Sequence, residues 1–443
     1  MQEVPPPTNR ARIRSVVSAS VVGTAIEWYD FFIYGTAAAL VFGPLFFHQD
    51  SAAGTMAAFA TYAVGFVIRP VGGAVFGHFG DKLGRKTILL ITLVIMGATT
   101  VLIGLLPTYE QIGLWAPALL VLLRMAQGFG AGAEFAGAAI MAVEFSPARR
   151  RGYYGSWSQV GVAIGLAAAS AVFALVQLLP PDQFMSWGWR IPFLASSVVL
   201  GIGVWIRLRI SETPVFKEVQ KEKRVARSPL MEVLRGDLKS FLVVLGMRFA
   251  DNAVLYIPVT FALVYLKGKD VPGWVGLAGV FLAAAVQVAT IPLFGALSDR
   301  LGRRVVYGGG AGVAAILMVP FFLMLDSGNA ALICFAIAIL GGLVYSAMAG
   351  SQPAFFSELF HPRVRYTGVA GGRELGAVFG GLTPLAATAL LAAYSTGMAV
   401  AFLVIGMCAI TVAAVIWAPE TRGRQFDVER ASEQAEIRDQ IHG

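Results

Sequence analysis

Long apolar runs alternate with short polar breaks along almost the whole chain. A membrane-crossing helix needs about 20 apolar residues at 1.5 Å of rise each. Twelve runs meet that length: residues 15–40, 55–76, 87–106, 116–141, 154–179, 189–208, 238–266, 273–295, 305–325, 330–350, 367–393 and 397–417. The runs are apolar on every side, whereas a surface helix of a soluble protein carries one apolar stripe. A transmembrane β-barrel calls for short segments of alternating hydrophobicity, and the chain has none of that pattern. The pattern predicts an all-α membrane protein with twelve transmembrane helices.

The polar breaks repeat at half-chain spacing. Gly77-His78-Phe79-Gly80-Asp81-Lys82-Leu83-Gly84-Arg85-Lys86 is echoed by Gly295-Ala296-Leu297-Ser298-Asp299-Arg300-Leu301-Gly302-Arg303-Arg304, 218 residues later. In each half this break joins the second run to the third. Glu144-Phe145-Ser146-Pro147 and Glu358-Leu359-Phe360-His361-Pro362 form a second matched pair after the fourth run of each half. Repeated landmarks in one order predict two pseudo-symmetric six-helix bundles, residues 1–210 and 238–418. A polar cytoplasmic linker, 211–237, separates them, and a tail, 419–443, follows. Lys and Arg crowd one set of loops: Arg10, Arg12 and Arg14, Lys82 to Lys86, Arg149 to Arg151, the linker, Arg300 to Arg304, Arg363 and Arg365. The opposite set holds only Arg190, Lys267 and Lys269. The positive-inside rule then places both termini in the cytoplasm.

Composition supports the membrane reading. The chain is 57% hydrophobic and 14% charged, with mean hydropathy +0.71, where soluble domains carry roughly 25% charged residues. The net charge of +8 sits in loops between apolar runs rather than on one soluble face, so nucleic acid is not an expected partner. Cys334 and Cys408 both lie inside apolar runs, and the four histidines are scattered, so no metal or cofactor site is expected. Arg10, Arg12 and Arg14 precede a run too long for a signal-peptide core, so no cleavable signal is expected. No Gly-Lys-Ser/Thr follows any glycine-rich stretch, which argues against a nucleotide-driven pump.

The segment Gly77 to Leu89 and the stretch Arg124-Met125-Ala126-Gln127-Gly128-Phe129-Gly130 resemble signature motifs of the major facilitator superfamily. Gly23-Thr24-Ala25-Ile26-Glu27-Trp28-Tyr29-Asp30-Phe31, Arg69-Pro70-Val71-Gly72-Gly73 and Trp187-Gly188-Trp189-Arg190-Ile191-Pro192-Phe193 are similar to its metabolite:proton symporter group. That group contains shikimate, α-ketoglutarate and proline/betaine permeases, and the second half is most similar to shikimate permeases. The resemblance implies a carrier in the inner membrane whose two bundles rock about a central site. It implies a small-molecule substrate and a proton as partners, with shikimate or a similar hydroxylated carboxylate foremost. It also implies a loop that latches the cytoplasmic side. A monomer in the lipid bilayer is expected. An exporting antiporter of the same fold is the first rival, weakened because residues 155–169 contain no proline. A transporter-like nutrient sensor is the second, weakened because no large soluble region is present.

Charges inside apolar runs cost roughly 2.5–3.5 kcal/mol each at a helix centre, so they mark function or pairing. Glu27 and Asp30 are three apart and share a face with Tyr34. Two nearby carboxyls resist double ionisation, so Asp30 and Glu27, with Glu134, are the candidate proton carriers. Candidate substrate contacts are Tyr34, Arg69, Arg124, Gln127, Gln159, Arg248, Asp251, Asn252 and Tyr256. Arg69 reads as a lone guanidinium able to hold a carboxylate in a two-pronged hydrogen bond, or as a structural partner for Asp30, Glu27 or the loop motif. Arg248 and Asp251 are spaced to neutralise each other. Arg373 and Glu374 are adjacent and point about 100° apart on a helix, so they are not expected to pair well. The candidate cytoplasmic latch comprises Gly77, Asp81, Gly84, Arg85, Lys86, Glu144, Asp299 and Arg303, with Glu144 as the acidic partner within the first half.

Overall fold

A computed structural model describes residues 10–47, 52–83, 85–132, 140, 142–144, 146–209, 233, 235–361 and 364–424. Within these, only the backbone is described at 10–16, 19, 77–83, 85–87, 89 and 206–209. Among the described residues there is no strand, and each of the twelve apolar runs carries helix. The long helices of the first sequence half are α1 (Arg10–Leu40), α2 (Ala52–Val67), α3 (Arg69–Leu83), α4 (Arg85–Leu105), α5 (Trp115–Ala131), α6 (Arg151–Val176) and α7 (Ile191–Arg209). Those of the second half are α8 (Leu238–Tyr256), α9 (Gly273–Leu301), α10 (Arg303–Asp326), α11 (Tyr345–Leu359), α12 (Arg365–Tyr394) and α13 (Gly397–Trp417). By length and composition, nine helices among the described residues can cross a membrane. Most of the predicted linker and the end of the predicted tail lie outside the described residues.

Three runs are less regular than their hydropathy suggests. The second is split at Ile68 between α2 and α3. Pro70 lacks an N–H and crowds the preceding turn, so the ladder is interrupted where Arg69 begins the next helix. The seventh passes from α8 into a π-helical stretch, Ile257–Phe261, that contains Pro258, and continues as Ala262–Lys267. The tenth runs from Ala330–Ile337 through a second π-helical stretch, Ala338–Val344, into α11. Such wider turns re-aim the side chains that follow them and are frequent at functional sites.

Helix α6 holds the assembly together. It packs on α1 within its own half and on α9 and α11 of the other half. A Cβ at Gly165 would stand 2.7 Å from the carbonyl of Ala25, so only glycine permits the α1–α6 approach. Gly295 plays the same part between halves, where a Cβ would stand 2.6 Å from the carbonyl of Gly152. The other inter-half seam joins α2 to α12. Tyr256 stacks edge-on against Tyr62 and Phe66 there, with ring centroids 6.0 and 5.8 Å apart. The polar side chains of α1, α2, α3, α5, α8 and α12 are thereby pressed into one buried region.

Candidate functional site

Among the described residues this region holds four carboxylates, Glu27, Asp30, Asp251 and Glu374, and four guanidinium groups, Arg69, Arg124, Arg248 and Arg373. None is more than 5% exposed. Buried charges at this density persist only if partners replace water, so the pairing pattern is the informative feature.

Six of the eight are matched by opposite charge. Arg69 donates from Nε to Glu374 at 2.7 Å, a contact between the two sequence halves, and from Nη2 to Glu27 at 3.3 Å. Glu374 in turn accepts from Arg373 Nη1 at 2.6 Å. Arg248 pairs with Asp251 and donates to Asn252 Oδ1 at 2.8 Å, while Asn252 donates to the Gly376 carbonyl at 2.8 Å. Two expectations are decided as a result. Of the two readings of Arg69 the structure has the paired one: it is not a lone cation but holds Glu27, and the packing of α12 adds Glu374. Arg373 and Glu374 do pair, because long side chains can bend around the 100° separation of their Cα atoms when Arg69 holds Glu374 in place.

Asp30 and Arg124 are the two left over. Asp30 lies beyond ion-pair distance of every cation among the described residues and accepts from Ser196 Oγ at 2.7 Å. Among the described residues Arg124 has no carboxylate within ion-pair distance; it donates from Nη1 to Gln127, and its Nε and Nη2 find no hydrogen-bond partner there. Its guanidinium carbon rests against the rings of Phe31, Tyr34 and Tyr62, 4.6, 4.2 and 4.9 Å from their centroids. The face of an aromatic ring stabilises a cation by roughly 0.5–1 kcal/mol at an exposed site and about 2 kcal/mol when desolvated, without using its N–H donors. Gln127 Nε2 donates to Thr100 at 2.8 Å, and Tyr34 shares a 2.6 Å hydrogen bond with Thr61. The arrangement is a buried cation with unspent donors, held near a buried carboxylate that is not neutralised.

Gln159 reaches across the halves and donates to Gln352 at 2.8 Å. Tyr256 meets Tyr62 at the roof of the same region. Of the predicted site residues, Glu27, Asp30, Tyr34, Arg69, Arg124, Gln127, Arg248, Asp251, Asn252 and Tyr256 therefore gather in one cluster, with Gln159 in the adjoining inter-half contact. Glu134 lies outside the described residues. A separate cavity of about 410 Å³ lies between the halves at the end away from the basic loops, lined by Leu40, Gln177, Phe184, Leu263 and Lys267 among others.

A second charged cluster lies at the basic-loop end. Asp299 accepts from the backbone N–H groups of Gly152 and Tyr153 at 2.8 and 2.9 Å, capping the N-terminus of α6 in the opposite half. Arg303 pairs with Asp299 at 2.8 Å and with Glu358 at 3.1 Å, and all of its surface is buried. Thr421 donates to Glu358 at 2.8 Å. Glu420 accepts from the backbone N–H groups of Arg303 and Arg304 at 3.0 and 3.2 Å. Burial by itself pushes the Glu420 carboxyl up, but backbone N–H groups of Arg303, Arg422, Arg304 and Thr421 outweigh it and hold the carboxyl below its ordinary range. Glu144 pairs with Arg365 of the second half at 2.7 Å. Its expected partners within the first half fall on Gly77, Asp81, Gly84, Arg85 and Lys86, whose side chains or backbone lie outside the described residues.

Several members of these clusters escaped sequence reading. Ser196 and Thr100 are single hydroxyls in apolar runs and carry no signal by themselves. Arg373 and Glu374 stood out as charges in a span, but their partner Arg69 is 305 residues from Glu374. Glu358 is a repeat landmark in the sequence without an assigned role, and Glu420 simply follows the last apolar run.

Helical spans joined by twice-repeated basic loops, with a buried charge cluster between the halves, define a membrane carrier. The Major Facilitator Superfamily pattern matches residues 20–381, and the chain belongs to that family. It is a multi-pass membrane transporter and not an enzyme. The chain is 40% identical to the shikimate transporter of Escherichia coli K12 over 387 residues, covering 86% of this chain and 88% of that one. It is 33% identical to the proline/betaine transporter of the same strain over 432 residues, covering 93% and 85%. A crystal structure of a D-xylose-proton symporter superposes with a TM-score of 0.71 at 18% identity, covering 93% of this chain and 99% of that one, and so supports the fold.

Proposed function

We propose that the protein takes up a small organic monocarboxylate together with one proton by alternating access. The carrying observation is the pair left unmatched among the described residues, Asp30 without a cation and Arg124 without a carboxylate. With all eight groups ionised the described cluster is neutral. Admitting an anion alone would leave a net negative charge in a desolvated site, which is costly. Protonating Asp30 makes the cluster positive by one charge, and a substrate carboxylate on Arg124 restores neutrality. Proton and anion thus favour each other's binding. Arg69, Arg248 and Arg373 already hold carboxylates, so Arg124, with Nε and Nη2 unpartnered and no carboxylate among the described residues, is the cation best placed to take one. The hydroxyl groups of Tyr34, Tyr62 and Tyr256 line this side of the cluster and suit a hydroxylated substrate of the shikimate type, in keeping with the 40% identical relative.

The wider reading is two six-helix bundles, residues 1–210 and 238–418, giving twelve spans with both termini cytoplasmic in the inner membrane and a monomeric carrier. The Asp299, Arg303, Glu358 and Glu144–Arg365 contacts then form the cytoplasmic latch that parts when the site opens inward. A proton and a monoanion together carry no net charge, so a pH difference of one unit supports about tenfold accumulation, roughly 1.4 kcal/mol. The membrane potential, worth about 2.3 kcal/mol per charge per 100 mV, adds nothing.

The test is uptake into proteoliposomes of a panel of labelled organic acids and zwitterions. A pH gradient and a potassium-diffusion potential are imposed separately. Accumulation of a monocarboxylate driven by the pH gradient and indifferent to the potential is expected, with loss on Arg124→Gln. Accumulation of zwitterions alone, or uptake driven by the potential, contradicts the proposal.

A further inference from the structure

We infer that Glu374 is a built-in carboxylate that restricts the carrier to substrates with one negative charge. The inference rests on the reading of Arg124 as the substrate's cation. Glu374 is clamped as a free carboxylate would be: Oε2 receives Arg69 Nε at 2.7 Å and Oε1 receives Arg373 Nη1 at 2.6 Å. Two guanidinium groups on the two oxygens of one carboxylate make a strong charge-assisted anion site. The chain fills that site with its own side chain.

The filled site adjoins the open one. Phe31 contacts both cations, with Arg69 4.9 Å and Arg124 4.6 Å from its ring centroid. A second carboxylate on a substrate bound at Arg124 would meet Arg69 and Arg373 next. It would find them occupied by a tethered competitor whose effective concentration a free ligand cannot match. A dianion must therefore leave its second charge unpaired in a site closed to water, a penalty that discriminates strongly. Removing the Glu374 charge reverses the balance. Arg69 would keep Glu27 and release its Nε, Arg373 would lose its bond to Glu374, the cluster would gain one positive charge, and a dianion could use both sites.

The experiment compares the full-length wild type with Glu374→Ala and Glu374→Gln. Shikimate and cyclohexanecarboxylate serve as monoanions, and succinate and glutarate as dianions. Binding is read directly by calorimetry on detergent-solubilised protein and, for each variant, by ligand-induced shift of thermal unfolding. Wild type is expected to bind dianions at least tenfold more weakly than monoanions, and both variants to gain at least tenfold for dianions. The double variant Arg373→Gln/Glu374→Gln, which removes one charge of each sign, should gain far less. Folded variants that gain no dianion binding overturn the inference, as does a wild type that binds dianions as well as monoanions, which needs no variant at all. If wild type binds no monoanion, it is the proposed function that fails; the dianion gain, read by itself, still decides the role of Glu374.

Discussion

Replacing Asp30 with Asn tests the coupling argument most directly. Asparagine keeps the shape and the hydrogen bond to Ser196 while fixing the side chain in a neutral state. In the wild type an ionised Asp30 competes with the substrate carboxylate for the field of Arg124. An ionised Asp30 also repels that carboxylate, and two like charges roughly 6–8 Å apart at an effective dielectric of about 20 repel by about 2–3 kcal/mol. That corresponds to roughly 30–100-fold in substrate affinity. Wild-type affinity should weaken toward that limit as pH is raised, whereas Asp30→Asn should bind tightly and independently of pH. Reconstituted Asp30→Asn should also fail to accumulate substrate against a pH gradient while still exchanging labelled for unlabelled substrate. Affinity is read by calorimetry or scintillation proximity across the pH series, and transport by proteoliposome uptake and counterflow. Gradient-driven accumulation by Asp30→Asn, or a wild-type affinity flat across the series, would refute the reasoning.

Three further outcomes follow from the second cluster. Arg303→Leu strands Glu358 and Asp299 in a buried setting, and breaking such a pair costs roughly 3–5 kcal/mol, so the thermal midpoint in detergent should fall clearly, while a distant surface arginine change should not move it. Gly152→Val places atoms against Gly295 and Ser298 and should hold the halves apart at the basic-loop end; a cysteine at Ser156 should then react faster with a water-soluble maleimide. Glu420 has a folded-state carboxyl held below its ordinary value of 4.5, so its contribution is complete above that value and is lost as pH falls through the lower folded one. Acid unfolding curves of Glu420→Gln should therefore be flatter than wild type below about pH 4.5 and parallel to it above.

The Glu420 contribution illustrates what linear reading leaves out. In the sequence Glu420-Thr421 merely follows the last run, and its role comes from backbone donors of residues 303 and 304, brought to it by the α10–α13 packing. Asp299 is similar. Its repeat of Asp81 was plain in the sequence, but its partners, the first N–H groups of α6, belong to the other half. The breaks in the second, seventh and tenth runs were also hidden. Hydropathy measures how apolar a segment is and takes no account of turn geometry, although Pro70 and Pro258 marked two of the three places.

Run length, charge placement and repeat spacing are one-dimensional quantities, so the sequence alone determined a helical membrane carrier and named most of the ionisable groups at its centre. Which charges neutralise one another depends on distances of a few ångströms between helices far apart in the chain. Only the packed helices decided that Glu374 belongs to Arg69 and that, among the described residues, Asp30 and Arg124 remain unspent. The physical reason is that apolar burial accumulates along the chain, whereas ion pairing in a medium without water is set by contact.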